Sequence, residues 1–180
     1  IGFLKYGTNV LVSRKASIYN PEQIVLGDNI RINDFCILSG NIKLGSYIQI
    51  SAYTCLIGGT KGIVLQDFVT VSSRCAVYAV SDDFSGEQLN NSMIPTAYRS
   101  VIEGRVILED YVSVGTGSTI LPGVKLEEGA AVGAMSFVKH TLEGWKIYAG
   151  APCRYVKDRN QNMKQLRAVL QNSGEYEESR

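Results

Sequence analysis

The chain has 180 residues and a formal net charge of +1, so it offers no broad basic surface for nucleic acid or for an acidic membrane. Hydrophobic residues make up 45% of the sequence and charged residues 19%, a composition typical of a folded protein and not of a disordered one. No apolar run approaches the roughly 20 residues of a membrane helix, and residues 1–10 lack the pattern of a signal peptide. We therefore expect a cytoplasmic protein in which residues 1–180 form one domain.

The first predicted element is a six-residue repeat that occupies residues 20–78 and returns over residues 105–140. Its aliphatic positions are Leu26, Ile32, Leu38, Leu44, Ile50, Leu56, Leu65, Val71, Val77, Leu108, Val114, Ile120, Leu126, Val132 and Val138. Two positions before each of them lies a second residue, which is often smaller. Residues i and i+2 share a face in a strand, whereas residues repeated every six positions would be spread around the surface of a helix. The repeat therefore predicts short strands stacked as the coils of a parallel β-helix.

Residues 79–104 interrupt the repeat, and they contain Pro95 and few regularly spaced aliphatic residues. We interpret them as a loop that leaves the coils and begins near two adjacent acids, Asp82 and Asp83. Apolar residues at helical spacing then predict a short C-terminal α-helix over residues 159–172. The expected fold is an all-β solenoid with a protruding loop and one helix.

Small residues mark the corners and the interior of the predicted coils. Glycine follows the larger inward residue at Gly27, Gly45, Gly115 and Gly133. We expect a tight turn or a positive backbone angle at these corners. The four cysteines have no close pair of the kind that binds zinc, and we interpret them as reduced. Cys36 and Cys75 fall in the inward set, where a buried small side chain is expected and not a reactive thiol.

The segment "ILPGVKLEEGAAVGAMSFV", followed by "AGAPCRYVK", resembles the hexapeptide-repeat acyltransferases. The loop segment "SDDFSGEQLNNSMIP" looks closest to N-acetyltransferases of nucleotide-linked 4-amino-4,6-dideoxy sugars such as perosamine, which serve O-antigen and other surface polysaccharide synthesis. The resemblance implies a left-handed β-helix, acetyl-coenzyme A as co-substrate and no metal. It also implies a homotrimer with active sites in clefts between neighbouring subunits.

A catalytic histidine of this family is missing from the sequence. Members write a motif such as "YTATH" where this chain has "YAVSD", so Asp82 stands at the histidine position, and the single histidine of the chain is His140. A sugar hydroxyl needs a base near neutral pKa, but a sugar amine can attack with its own lone pair. We therefore favour N-acetylation, with Asp82 holding the amine and Asp83 beside it.

Three alternatives remain open at this point. Asp82 could be an unusual base in a sugar O-acetyltransferase if its environment raised its pKa. The segment "SDDFSG" could be only an acidic turn, since Asp and Ser favour turns. The chain could also be a catalytically inactive β-helix binding protein. A zinc-dependent β-helix enzyme would need three histidines and is excluded.

Besides Asp82 and Asp83, further residues are candidates for the site, some through the resemblance and others through their side-chain chemistry. The resemblance implies the Thr116 N–H in "SVGTG" as donor to the oxyanion, with Gly115 before it. Its coenzyme A contacts are Gly133 and Ala134 for the pantetheine arm and Lys139, His140, Arg154 and Lys157 for the phosphates. Trp145 and Tyr148 are candidates to stack on adenine, although Trp145 could equally pack the helix. Candidate sugar or diphosphate contacts are Tyr78, Ser81, Glu87, Asn90, Asn91 and Arg99.

Overall fold

A computed structural model describes residues 2–173 of the chain, and short strands make up most of its regular structure. The first strands are β1 (Val10–Val12), β2 (Ser17–Tyr19), β3 (Ile24–Leu26), β4 (Ile30–Ile32), β5 (Ile37–Leu44), β6 (Ile48–Ile50) and β7 (Cys55–Leu65). They are followed by β8 (Thr70–Val71), β9 (Ala76–Tyr78), β10 (Val80–Asp82), β11 (Val101–Glu103), β12 (Val106–Leu108) and β13 (Ser113–Val114). The remaining strands are β14 (Thr119–Ile120), β15 (Lys125–Leu126), β16 (Ala131–Val132), β17 (Phe137–Val138), β18 (Lys146–Ala149) and β19 (Arg154–Asp158). The helix α1 covers Met163–Ser173, and two 3-10 turns cover Pro21–Gln23 and Thr96–Tyr98.

The strands form a three-faced solenoid whose coils stack in parallel. The first face has the strand order β1-β4-β6-β8-β13-β16-β18, and β19 adds to its end in antiparallel orientation. The second face stacks β2, the start of β5, the start of β7, β9, β14 and β17. The third face stacks β3, the ends of β5 and β7, β12 and β15. The long strands β5 and β7 belong to two faces because they continue through a corner.

Three corners separate the faces, and they differ in the part of the chain that lies against them. We call the corner from the third to the first face the helix corner, because α1 lies against it. The corner from the first to the second face is the open corner. The corner from the second to the third face is the loop corner, since the loop at residues 79–104 leaves the coils there.

The core confirms the predicted inward pattern. Both residues of each repeat point into the solenoid, and nearly all of them are less than 5% exposed, from Ile24 and Leu26 in β3 to Val138 in β17. The polar members of the smaller set are buried with hydrogen-bonded hydroxyls: Thr54 donates to the Ser72 carbonyl at 2.8 Å and Ser118 to the Gly133 carbonyl at 3.0 Å. Satisfied hydroxyls avoid the cost of burying an unpaired polar group.

The boundaries of the elements differ from the predicted ones. The coil stack begins before residue 20, because β1 pairs with β4 and β2 pairs with β5. It also continues past residue 140, since β18 pairs with β16 in parallel. These terminal coils were missed because their aliphatic residues are less regularly spaced than those of the central coils. The helix begins at Met163, four residues later than predicted. The assignment of residues 1–180 to one domain stays a prediction.

The predicted positive backbone angle at the corner glycines is wrong. Positive φ values occur two positions later, and they fall mostly on residues with side chains, such as Asn29 at 55°, Tyr47 at 58° and Met135 at 56°. The glycines serve close approach between coils instead. A Cβ on Gly27 would lie 2.3 Å from the carbonyl oxygen of Gly45, a distance that backbone atoms do not tolerate.

Aromatic rings fill the helix corner and anchor α1. Tyr47 and Phe68 stack with ring centroids 4.7 Å apart, and Phe68 and Tyr111 stack at 5.5 Å. The Arg167 guanidinium lies 4.9 Å from the Phe68 ring and forms ion pairs with Asp67 at 2.9 Å and Asp110 at 2.7 Å. Hydrogen bonds from this cation to Tyr111 and Asp110 raise the pKa of Arg167 further above its usual value. The helix is therefore held to the coils by a charged side chain over aromatic faces.

Gly129 makes room for the last ring of this corner. Its φ is +70°, and a Cβ would lie 2.4 Å from Cδ2 of the Trp145 indole. The indole thus passes over Gly129 and approaches Tyr111, with ring centroids 5.7 Å apart. Lys164 of α1 lies 4.8 Å above the same indole.

We expect Gly129→Ala to lower the free energy of unfolding by about 2–4 kcal/mol, from backbone strain at positive φ and from collision with the indole. Gly123→Ala is the matched control, because Gly123 also has positive φ, +80°, but its Cβ would meet nothing within 4 Å. Urea denaturation of both variants separates the two costs, and the control should lose only about 1 kcal/mol. Equal losses in the two variants would show that the indole does not occupy this space.

Candidate active site

The loop at residues 79–104 starts and ends as a two-stranded antiparallel hairpin. Strand β10 pairs with β11, which places Val80 opposite Glu103 and Asp82 opposite Val101. The Gly104 N–H donates to the Ala79 carbonyl at 3.0 Å and closes the base of the loop. The hairpin therefore fixes the position of the acidic pair relative to the coils.

A glycine-rich insertion in β7 supports this hairpin from the neighbouring coil. The Thr60 hydroxyl donates to Glu103 at 2.8 Å, and Arg105 Nε donates to the Lys61 carbonyl at 3.0 Å. Gly59 lies against Val80, where an added Cβ would come within 2.9 Å of the valine side chain. The glycine-rich insertion at residues 58–62 and the loop at residues 79–104 both interrupt the six-residue repeat. They therefore meet at the loop corner.

The two adjacent acids have different partners. Asp83 accepts hydrogen bonds from the Ser85 N–H at 2.8 Å, the Ser85 hydroxyl at 3.0 Å and the Ser100 hydroxyl at 2.9 Å. The Ser85 N–H, then the Ser100 and Ser85 hydroxyls, lower the pKa of Asp83 below its usual value. Because these bonds join the two sides of the loop, they give Asp83 a structural role in ordering it.

Asp82 instead faces Arg99 and has a carboxylate free for a ligand. Its Oδ1 lies 4.0 Å from an Arg99 nitrogen, too far for a direct hydrogen bond, and no other group within residues 2–173 bonds to this carboxylate. Arg99 Nε is buried and has no hydrogen-bond partner in the described part of the chain. A carboxylate and a guanidinium with unused bonding capacity therefore lie side by side at the end of β10.

The open corner carries Thr116 in a column of unpaired backbone N–H groups. Hydrogen bonds from Gly117 to Ser73 and from Met135 to Thr116 align these residues in successive coils. The N–H groups of Ser73, Thr116 and Ala134 themselves have no acceptor among the described residues. Backbone donors held in this way can stabilise a developing oxyanion without rearranging during the reaction.

Gly115 and Gly133 allow the coils to meet closely beneath this column. A Cβ on Gly115 would lie 2.5 Å from the nitrogen of Ala134, and one on Gly133 would lie 3.0 Å from Ala149 Cβ. The Gly133 carbonyl accepts hydrogen bonds from the Ser118 and Ser136 hydroxyls. These contacts fix the peptide planes on both sides of Thr116 and Ala134.

The predicted phosphate contacts lie toward the C-terminal end of the solenoid. Lys139 and His140 follow β17, and Arg154 and Lys157 lie on β19. All four side chains are exposed, and none forms an ion pair with another described residue. The neighbouring aromatic candidates are engaged elsewhere: Trp145 packs against Gly129 and Lys164, and Tyr148 is only 8% exposed.

The structure does not bring all the predicted site residues together within one chain. Asp82 and Arg99 lie at the loop corner, whereas Thr116 lies at the open corner, and the second face separates them. Tyr78, at the end of β9, and Ser81 lie between the coil and Asp82, while Glu87, Asn90 and Asn91 are exposed farther out on the loop. The described residues contain no cluster of His, Cys, Asp or Glu that could hold a metal ion.

Sequence reasoning missed the Ser73 amide and the support that the insertion gives to the hairpin. Aligning the repeats coil by coil would have placed Ser73 beside Thr116, because both follow a strand of the first face. No local signal relates Thr60 to Glu103, which lie 43 residues apart.

Of the described helices, none is long and apolar enough to cross a membrane.

Comparisons with known proteins place this arrangement among acyltransferases. The chain is 36% identical over 176 residues to a dTDP-4-amino-4,6-dideoxy-D-glucose acyltransferase of Escherichia coli, a match covering 96% of this chain and 91% of the relative. It is 50% identical to AntD, an N-acyltransferase from Bacillus cereus solved with dTDP-4-amino-4,6-dideoxyglucose and coenzyme A, with a TM-score of 0.94 and coverage of 96% and 92%. A hexapeptide-repeat acetyltransferase of Vibrio cholerae, 19% identical, shares the fold with a TM-score of 0.58 and coverage of 88% and 73%. No family model matches the chain.

The chain therefore belongs to the hexapeptide-repeat acyltransferases, on the branch that contains the dTDP-4-amino-4,6-dideoxy-D-glucose acyltransferase. The predicted left-handed parallel β-helix is confirmed by these matches. The prediction of an acyltransferase is confirmed as well, over the alternative of an inactive binding protein.

The hydrogen bonds of Asp83 predict its titration. We expect its carboxyl carbon signal in NMR to titrate below the usual value of about 3.9, and to shift toward that value in Ser100→Ala. Since the folded pKa is lowered, the bonds stabilise the loop above about pH 4 and this stabilisation is lost as the pH falls through the lower folded pKa. Ser92→Ala, elsewhere in the loop, is the control. An unchanged Asp83 titration in Ser100→Ala would contradict the assigned contact.

Proposed function

We propose that the chain transfers an acyl group from acyl-coenzyme A to the 4-amino group of a dTDP-linked 4-amino-4,6-dideoxyhexose. The observation that carries this proposal is the free carboxylate of Asp82 at the position where related acyltransferases have a histidine. It is supported by AntD, which has been solved with this kind of amino sugar and coenzyme A. An acceptor that supplies its own lone pair removes the need for a strong base.

In the proposed reaction, the sugar nitrogen attacks the thioester carbon and the carbonyl oxygen becomes an oxyanion. The Thr116 N–H donates to this oxyanion, and Asp82 orients the amine and stabilises the positive charge that builds on nitrogen. The C–S bond then breaks, the proton lost by the nitrogen passes to the departing sulfur, and coenzyme A leaves as the thiol. Arg99, 4.0 Å from this carboxylate, adds a positive charge beside it without a direct hydrogen bond.

The coenzyme would lie along the open corner toward the C-terminal coils. Its pantetheine arm can pass Gly133 and Ala134, and its phosphates can reach the exposed cations Lys139, Arg154 and Lys157, with His140 beside them. The sequence predicts an acetyl group, whereas AntD has been solved with 3-hydroxybutyryl-coenzyme A. Short acyl and 3-hydroxyacyl donors therefore both belong in a test of the reaction.

A homotrimer would complete the site, because Asp82 and Thr116 lie at different corners of one chain. The outer surface of the second face is largely apolar, with Ile37, Ala76 and Phe137 among its residues. The loop also exposes large apolar side chains, with Phe84 at 79% and Met93 at 88% exposed. Packing the loop of one subunit near the second face of its neighbour would cover both surfaces and bring Asp82 toward the neighbour's open corner.

The cellular setting is part of the same proposal. A cytoplasmic enzyme would meet both the nucleotide-linked sugar and acyl-coenzyme A, and its product would supply O-antigen or another surface polysaccharide. The E. coli K12 protein described as a putative lipopolysaccharide biosynthesis O-acetyl transferase, 23% identical over 157 residues, is consistent with that setting.

Thiol release from acyl-coenzyme A tests the reaction. With dTDP-4-amino-4,6-dideoxyglucose as acceptor, we expect turnover, and with the 4-hydroxyl analogue we expect none. Asp82→Asn should lower kcat at least about tenfold because the amine loses its charged partner. Glu22→Gln, which removes an exposed carboxylate from the first coil, is the control and should turn over normally.

Each other outcome selects a different function. Turnover of only the hydroxyl analogue would make the chain an O-acyltransferase with Asp82 as base. A normal rate in Asp82→Asn would remove the proposed role of this carboxylate while leaving N-acylation intact. No turnover and no binding of coenzyme A would support an inactive binding protein.

The oligomer can be measured by light scattering after gel filtration. We expect a mass of about three times 19.7 kDa, and a smaller species in Met93→Glu, which puts a charge on the apolar tip of the loop. Leu4→Glu is the control, because Leu4 is 65% exposed and lies outside the loop. A monomeric parent chain with full activity would overturn the shared site.

A further inference from the structure

A column of side chains runs along the open corner, and it is interrupted beside Thr116. Positive φ values occur at the equivalent position of five successive coils, at Phe35, Tyr53, Arg74, Gly117 and Met135. The N–H at this position bonds to the coil before it, as from Met135 to the Thr116 carbonyl at 2.8 Å. Gly117 is therefore the one member of this column without a side chain.

The side chain of Met135 lies over Gly117, on the neighbouring coil. A Cβ on Gly117 would lie 2.4 Å from Met135 Sδ, so the thioether occupies the place that a side chain at 117 would take. The Met135 backbone has a φ of 56°, in the left-handed region that residues with long side chains rarely adopt. Met135 thus points back along the corner, toward the coil that carries Thr116.

The helix corner contains the same arrangement, but there the side chain is held in place. Gly129 makes room for Trp145 of the next coil, and the indole lies between Tyr111 and Lys164. At the open corner, Met135 is 72% exposed although it lies on its glycine in the same way. A methionine side chain has several rotatable bonds and adapts its shape easily. Met135 can therefore move when a ligand enters the space over Gly117.

The proposed reaction brings the acyl group next to this side chain. The thioester oxygen would lie about 3 Å from the Thr116 nitrogen, because that N–H stabilises the oxyanion. The same carbon carries the coenzyme sulfur, which approaches from the C-terminal coils, and the acyl chain. Gly117 directly follows Thr116, so an acyl chain that passes over this glycine meets Met135.

The two neighbours of Gly117 in the column differ in polarity. Arg74 precedes it by one coil, about 4.8 Å along the axis, and its charged head favours water over an apolar chain. Met135 follows by one coil and offers a polarizable apolar surface. The apolar carbons of an acyl group are therefore expected to lie against the thioether and not against the guanidinium.

We propose that Met135 determines which acyl chains the donor can carry. Its thioether forms the wall of a pocket over Gly117, closes on a short acyl group and has to move aside for a longer one. Removing this side chain therefore favours longer donors relative to acetyl-coenzyme A. The assignment rests on the proposed function, because it takes the Thr116 N–H to bind the thioester oxygen.

Thiol release from acetyl-, butyryl- and hexanoyl-coenzyme A, with dTDP-4-amino-4,6-dideoxyglucose as acceptor, tests the assignment. Met135→Ala should raise kcat/KM for the hexanoyl donor relative to the acetyl donor at least about tenfold, because methylene groups in an apolar pocket discriminate by this much. Met135→Gly should do the same, and it suits the positive φ. Met135→Leu keeps an apolar side chain of similar size, so its donor ratio should stay within about threefold of the parent ratio.

Two controls separate a pocket wall from a side chain that only covers the backbone. Calorimetric titration with free coenzyme A, which carries no acyl group, should give the parent affinity in Met135→Ala. Val169→Ala removes another exposed apolar side chain, 64% exposed on α1, and should leave the donor ratio unchanged.

The outcomes separate this proposal from the general function. If the parent chain acylates the amino sugar and Met135→Ala keeps the parent donor ratio, Met135 does not select the acyl chain and the reaction stands. An equal loss with every donor, together with weaker binding of free coenzyme A, would make Met135 a coenzyme contact instead. A lower oligomer mass in Met135→Ala would make it an interface residue. If the parent chain transfers no acyl group from any donor, both proposals fail.

Discussion

The close stacking of successive coils is the constraint on which the structure depends. Parallel strands at about 4.8 Å bury two inward side chains per repeat, and each coil completes its core only against the next one. At the corners the backbone of one coil approaches the next so closely that Gly27 and Gly115 cannot carry a side chain. The same closeness aligns equivalent residues into columns, and these columns provide both the core and the functional surfaces.

The three corners use their columns in different ways. At the helix corner, aromatic rings and two acids receive Arg167, so the column holds α1. At the loop corner, Thr60 and Lys61 support a hairpin that carries Asp82. At the open corner, N–H groups without an acceptor among residues 2–173 and two exposed rings line the surface. The same repeated backbone therefore anchors α1 at one corner, positions Asp82 at the second and exposes N–H groups and rings at the third.

The inward pattern could be predicted from the sequence because burial in a coil depends on positions i and i+2 of a strand, which are local in the chain. Asp82 could be predicted only through resemblance, since an acidic turn gives the same local pattern. The contact between Arg167 and Asp67 spans 100 residues and leaves no local signal, and neither does the support that Thr60 gives to Glu103. Positive backbone angles do occur at the corners but not at the glycines, because glycine can serve either conformation or close approach and the sequence does not distinguish them.

The hairpin at the loop corner leaves the coils and returns to them at one point, and its strands also contact the insertion in β7. The Gly104 N–H bonds to the Ala79 carbonyl, and β9 and β12 on either side keep their partners in neighbouring coils as if no residues intervened. An exchange of the segment between these two strands would therefore leave the stacking of the coils unchanged. The segment that carries Asp82 can therefore change in length and sequence while the solenoid that holds it keeps its fold.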